Sequence, residues 1–150
     1  MRLAAYEPDI PQNLGAMIRL GACFDVPIDV IEPCGFPFSA KSLRRAAMDY
    51  AEHADIAQHD SWDAYVTNRE QTSRLVLLTT KSNQNLWNFK FLPTDTLLLG
   101  RESAGVPDVV HDAVDAAIRI PIRDALRSLN VAMAAAIALA EALRQTGDGR

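Results

Sequence analysis

Between Arg74 and Thr80 the chain reads Arg-Leu-Val-Leu-Leu-Thr-Thr, an apolar run with no polar residue alternating inside it. A strand with one face in water alternates apolar and polar residues. A run of this density therefore has to be covered on both sides, as in a parallel sheet lying between two layers of helices. Around it, apolar runs bounded by turn residues alternate with stretches of helical period. Strands are predicted at 3–6, 27–31, 54–58, 74–80, 96–99 and 116–120, with helices from about Asn13, over 39–48, 61–69 and 130–145. Asn13 and Ser39 are the expected helix caps, and 81–95, polar with scattered aromatics, reads as loop. The class is α/β: a mainly parallel sheet with helices on both faces.

At 150 residues there is material for one core, so a single domain is expected, with 146–150 as a fraying tail. The first apolar stretch ends at Glu7, too soon for an export signal, and the longest, 131–140, is about half of the ~20 residues that span a bilayer. Cys23 and Cys34 form no C-x-x-C pair and read as reduced, partly buried thiols. The expected compartment is the cytoplasm.

A net charge of −4 means that the surface as a whole does not attract polyanions, so any nucleic-acid contact must be local. Lys41, Arg44 and Arg45 share one helix face at i, i+3, i+4 spacing, and Arg19, Arg123 and Arg127 extend that patch if the fold gathers them. Several chemistries are absent from the sequence. Neither G-x-G-x-x-G nor G-x-x-x-x-G-K-[ST] occurs, and Ser103 lacks the glycine two residues before it that a nucleophile elbow needs. His53, His59 and His111 stand apart from one another and from cysteine, so no metal site is expected. What remains is Leu97-Leu98-Leu99-Gly100-Arg101-Glu102-Ser103-Ala104-Gly105-Val106-Pro107, a strand that stops in a polar turn framed by glycines. Open α/β sheets bind ligands where strands end, and glycine lets backbone amides come close to a ligand.

That segment has two companions: Asn13-x-Gly15-x-x-x-Arg19 upstream, and Ile118-Arg119-Ile120-Pro121 followed by Ser128-Leu129-Asn130 downstream. Together, in order and spacing, they resemble the three motifs of the SPOUT RNA methyltransferases, and within them the single-domain tRNA 2'-O-methyltransferases that act on a wobble cytidine or uridine. Tyr6-Glu7-Pro8-x-Ile10-Pro11, Ile31-Glu32-Pro33-x-Gly35-Phe36, Leu43-Arg44-Arg45-Ala46-x-x-Asp49-Tyr50 and Leu78-Thr79-Thr80-Lys81 support the closer match. The resemblance covers residues 1 to about 145.

It implies a C-terminal trefoil knot, a homodimer, S-adenosylmethionine as cofactor and the anticodon stem-loop of a tRNA, a leucine tRNA by expectation, as substrate. Carried over residue by residue, the cofactor contacts fall on Leu78, Thr79, Gly100, Glu102, Gly105, Ile120, Ser128 and Leu129. Arg19 becomes the residue acting at the ribose hydroxyl, and Asn130 begins the knot helix. Asn13, Lys41, Arg44, Arg45, Arg123 and Arg127 become candidate RNA contacts. Two departures bear on RNA: Val131-Ala132 stand where many relatives have Leu-Ser, and Ala140 stands where relatives carry a tyrosine, so a contact by that tyrosine is not inherited. Modification of another tRNA or a ribosomal RNA position, a non-catalytic RNA-binding protein of the same fold, and a nucleotide enzyme on a Rossmann-like sheet are the other readings.

Overall fold

The computed structural model describes residues 1–38 and 47–147. Most of the helix expected over 39–48, with Lys41, Arg44 and Arg45, lies outside the described residues. The strands β1 (Arg2–Tyr6), β2 (Ile28–Ile31), β3 (Ile56–His59), β4 (Leu75–Leu78), β5 (Thr96–Leu99) and β6 (Ala116–Ile118) form one sheet in the order β3-β2-β1-β5-β4-β6. Every neighbouring pair is parallel. Among the described residues the helices are α1 (Pro11–Phe24), α2 (Trp62–Asn68), α3 (Asp108–Asp112) and α4 (Val131–Thr146), with 3₁₀ turns at Met48–Glu52 and Leu86–Asn88.

Alternation along each strand distributes side chains to two cores. Leu3, Ala5, Val76, Leu97 and Leu99 pack on the face covered by α1 and α4, where Leu14, Met17, Ile18, Ala138 and Leu139 meet them. Ala4, Tyr6, Leu75, Leu77 and Leu98 point the other way, to Tyr65 of α2 and Val110 of α3. Because both faces are covered, a polar residue on β4 or β5 needs a buried partner, as Thr96 Oγ1 has in Ser73 Oγ at 3.0 Å, and the runs are otherwise unalternating. On the α2 side Asp29 of β2 is 4% exposed, and its carboxylate accepts from Arg2 Nε at 2.9 Å and Nη2 at 3.1 Å, with His59 Nε2 at 2.9 Å.

Several boundaries differ from the sequence reading, each for a local reason. Helix α1 begins at Pro11, whose missing N–H suits the first helical position, and no side chain caps it; Asn13 lies within the first turn and is not its cap. Strands 74–80 and 116–120 are shorter in the sheet, ending at Leu78 and Ile118, and the residues beyond turn outward instead. The strand predicted at 54–58 occupies Ile56–His59. Ser61 caps α2 through Oγ on the Ala64 amide at 3.1 Å, and Asn130 caps α4 through Oδ1 on the amides of Ala132 and Met133. The two cysteines differ: Cys34 is half-buried, but Cys23 is exposed on α1.

The loop 79–95 is tied at both ends. Arg119, just past β6, donates its N–H to the Gln84 carbonyl at 2.8 Å and accepts from the Leu86 amide at 2.9 Å. From the other side Gln145, in the last turn of α4, accepts from the Phe91 amide and donates to the Phe89 carbonyl, both at 3.0 Å.

Candidate active site

Strand order reverses between β1 and β5. From β1 the chain moves outward to β2, whereas from β5 it crosses β4 to reach β6. At such a switch point the loops leaving the carboxyl ends diverge and leave a crevice. The crevice here is a cavity of about 600 Å³, floored by Leu77, Leu78 and Leu99 and walled by 79–81, 100–106, Ile120, Ile122 and 127–131. Its volume and its mixture of apolar walls with a few polar groups are those of a small-molecule site.

The turn after β5 is closed on itself. Arg101 and Gly105 exchange backbone hydrogen bonds, N to O at 2.9 and 2.8 Å. A Cβ on Gly100 would lie 2.7 Å from the carbonyl carbon of Gly105, so Gly100 is glycine because the returning backbone occupies that space. Gly105 itself sits at φ +68°, in the left-handed region, with nothing near its missing Cβ. The sequence reading assigned both glycines to close approach of a ligand; the structure makes Gly100 a backbone-to-backbone contact and Gly105 a conformational requirement.

A directed chain of hydrogen bonds runs from this turn to the start of α4. One oxygen of Glu102 accepts from the Asp9 backbone N–H at 2.8 Å, and the other from Asn13 Nδ2 at 2.9 Å. Since a carboxylate can only accept, Asn13 must offer its nitrogen to Glu102, which leaves its oxygen to receive Asn130 Nδ2 at 2.8 Å. Asn130 in turn has its oxygen free for the α4 amides. One negative charge thus sets two amide orientations and the cap of a helix. Asn13 is 8% exposed with both polar atoms engaged.

Beside this chain, Arg101 bridges two carboxylates, Nη1 to Glu7 at 3.0 Å and Nη2 to Asp9 at 2.7 Å. The second oxygen of Asp9 receives the Ser103 amide and hydroxyl. The guanidinium of Arg101, then the Ser103 donors, hold the Asp9 carboxyl well below the usual range, at about 2. Arg101 is therefore already neutralised within the protein.

All eight residues expected to hold the cofactor line the cavity: Leu78, Thr79, Gly100, Glu102, Gly105, Ile120, Ser128 and Leu129. Asn13, Arg127 and Asn130 line it as well. Arg123 does not, and Arg19 is also outside, on the exposed side of α1, its guanidinium 4.4 Å from the centre of the Tyr50 ring. Sequence reasoning missed Asp9, Lys81 and His111. Lys81 had a signal, since it lies just past a buried strand. Asp9 had none, because its role depends on Glu102 and Arg101, more than ninety positions away in sequence. Among the described residues no group of three or more His, Cys, Asp or Glu is placed to hold a metal ion, and no helix is long and apolar enough to cross a membrane.

The model of the SpoU rRNA methylase family matches residues 1–140. A tRNA (cytidine(34)-2'-O)-methyltransferase of Beijerinckia indica is 53% identical over 97% of this chain and 91% of its own length. A solved structure described as giving insights into 2-OH methylation of C/U34 on tRNA superposes with a TM-score of 0.92 at 36% identity, covering 99% of this chain and 97% of that one. An AdoMet-bound rRNA methyltransferase from Sinorhizobium meliloti superposes with a TM-score of 0.84 at 26% identity, covering 95% of this chain and 55% of that one.

Proposed function

This chain belongs to the SpoU rRNA methylase family, and from that premise we propose that it transfers the methyl group of S-adenosylmethionine to the ribose 2'-hydroxyl of the pyrimidine at position 34 of a tRNA. The observation that carries the reading is the cavity at the β1/β5 switch point, to which all eight residues carried over from the resemblance contribute, two from the Leu78-Thr79-Thr80-Lys81 stretch and six from the second and third motifs. The cavity fits the cofactor chemically. Leu77, Leu78, Leu99, Ile120 and Leu129 offer apolar walls to a purine, the loop backbones offer donors and acceptors, and Lys81 offers a cation to a carboxylate.

When bound, S-adenosylmethionine supplies a methyl group activated by its positively charged sulfur. The protein's share is then to position the hydroxyl and ease its deprotonation. Glu102, through Asn13 and Asn130, holds the 100–105 turn against the start of α4, so that two walls of the cavity keep one spacing. Arg19 is assigned to the ribose oxygen. There its positive charge stabilises the developing alkoxide as the C–S bond breaks and the C–O bond forms, and the hydroxyl proton leaves to solvent. Arg19 does not line its own chain's cavity, so this role calls for a second copy to bring Arg19 to the mouth.

The homodimer belongs to the same proposal. It is supported by the outward faces of α1 and α4, which carry Phe24 at 51% and Met133 at 59% exposure among small residues such as Ala16 and Ala140. So does the knot, supported by the loop 79–95 being bound both to the chain leaving β6 and to the end of α4. Action on the anticodon stem-loop, a leucine tRNA as substrate and residence in the cytoplasm complete the reading. Arg123 and Arg127 are its phosphate contacts among the described residues. The test is transfer from labelled S-adenosylmethionine to unmodified total tRNA, followed by nuclease digestion and nucleoside mass spectrometry. A 2'-O-methylated pyrimidine mapped to position 34 is expected, and methylation only at another position, or of ribosomal RNA alone, would overturn it.

A further inference from the structure

The charged side chains of this protein are unevenly spent. Among the described residues Arg2, Arg69, Arg74, Arg101 and Arg144 are each paired with carboxylates, and Arg19 lies over Tyr50. Lys81, Arg119, Arg123 and Arg127 have no such pairing and are exposed, and Lys90 is the remaining cation of this kind. In a chain of net charge −4 the free positive charge is thus gathered on the loops that leave β4 and β6, with Asp124 the one acidic residue within 119–127.

The loop leaving β4, joined to Arg119 by a backbone bridge at Asn85, presents an aromatic ring. Leu86 is fully buried, which pins the 3₁₀ turn and drives its neighbour Trp87 outward to 51% exposure. The turn is rigid. The Trp87 amide donates to Asn85 Oδ1 at 2.9 Å, Asn85 forms a parallel bridge with Arg119, and Ser82 Oγ donates to the Ala117 carbonyl at 2.6 Å while accepting from the Gln84 amide. A large indole held in water by a fixed turn gains nothing for the fold of this chain.

We infer that Trp87 and Arg119 form a platform for single-stranded RNA beside the cavity, the indole stacking on a base that flanks the methylated nucleotide and the guanidinium meeting its phosphate. Unpaired cations next to an exposed aromatic ring are the combination that binds single strands without reading sequence. The platform rests on the proposed function for the nature of the substrate.

The experiment joins catalysis to a direct binding signal. Trp87→Ala is expected to raise KM for tRNA roughly tenfold, the scale of one lost base stack, with kcat, S-adenosylmethionine affinity and thermal midpoint unchanged, and Trp87→Phe to restore most of the loss. Arg119→Ala is expected to lower the slope of log affinity against log salt by roughly 0.7, one phosphate contact on a single strand. Adding an anticodon stem-loop RNA should quench tryptophan fluorescence in the unaltered protein but not in Trp87→Phe, where only Trp62 remains. An unchanged KM in Trp87→Ala, with the unaltered protein methylating tRNA, would overturn the platform. Quenching without any methyl transfer by the unaltered protein would support the platform and overturn the proposed function instead.

Discussion

Replacing Glu102 by glutamine changes one oxygen to an NH₂ and nothing in size, yet the structure predicts a loss that reaches α4. The Asp9 donor is backbone and cannot turn, so the remaining oxygen of the glutamine stays with it and the new NH₂ faces Asn13 Nδ2. Asn13 can flip to offer its oxygen, but its nitrogen then meets Asn130 Nδ2; if Asn130 flips too, its nitrogen meets the amides of Ala132 and Met133. Somewhere along the chain two donors must face each other. Losing an N-cap costs about 1 kcal/mol, and exchanging charge-assisted hydrogen bonds for neutral ones costs about 1 more. The expected loss is about 2 kcal/mol, or roughly 4–8 °C in thermal midpoint for a chain of this size, with weaker S-adenosylmethionine binding by calorimetry. Adding Asn130→Ser should recover about half, because a serine hydroxyl both caps the helix and accepts from a flipped Asn13. An unchanged midpoint in Glu102→Gln, or no recovery in the double variant, would refute the directed chain.

Gly100→Ala should leave the fold intact by circular dichroism while lowering S-adenosylmethionine affinity at least tenfold, since its Cβ meets the Gly105 backbone at 2.7 Å and overpacking of this kind costs ~1–3 kcal/mol. Arg19→Ala and Gly100→Ala should each be nearly inactive alone, yet a mixture refolded together should regain methyl transfer, because mixed dimers hold one cavity with an intact turn facing an intact Arg19; no recovery would refute the second-copy role. The pH response follows from Asp9, whose folded value of about 2 lies below the ordinary carboxylate value of 3.8. The unfolded chain therefore takes up this proton first as pH falls, and the stabilisation, complete above about pH 4, disappears as pH approaches 2. Glu141, lowered to about 2 by Arg144 and Gln145, titrates in the same window. Thermal midpoints of Asp9→Asn and Glu141→Gln against the unaltered protein should therefore both converge on it near pH 2, the Asp9 difference shrinking as salt is added.

Composition and pattern alone determined that this chain forms a doubly covered parallel sheet, because Leu75–Leu78 and Thr96–Leu99 leave no strand face for water. The positions of the cavity residues came from the resemblance of the motifs to a known family; of these, 79–81 and 100–105 sit just past an apolar run, whereas Ser128 and Leu129 do not. Helix starts were legible at Ser61 and Asn130, which the structure makes the caps of α2 and α4, although the cap expected at Asn13 is not one. The partnerships were not legible. Asn13 reads as a cap in sequence, but in space it joins Glu102 to Asn130, residues 89 and 117 positions away. Arg101 and Arg119 have the same charge, yet only the fold brings Glu7 and Asp9 to the first and leaves the second free. Burial periodicity is a property of consecutive residues and survives in the sequence. Which donor meets which acceptor is decided only when crossover connections bring distant strand ends together.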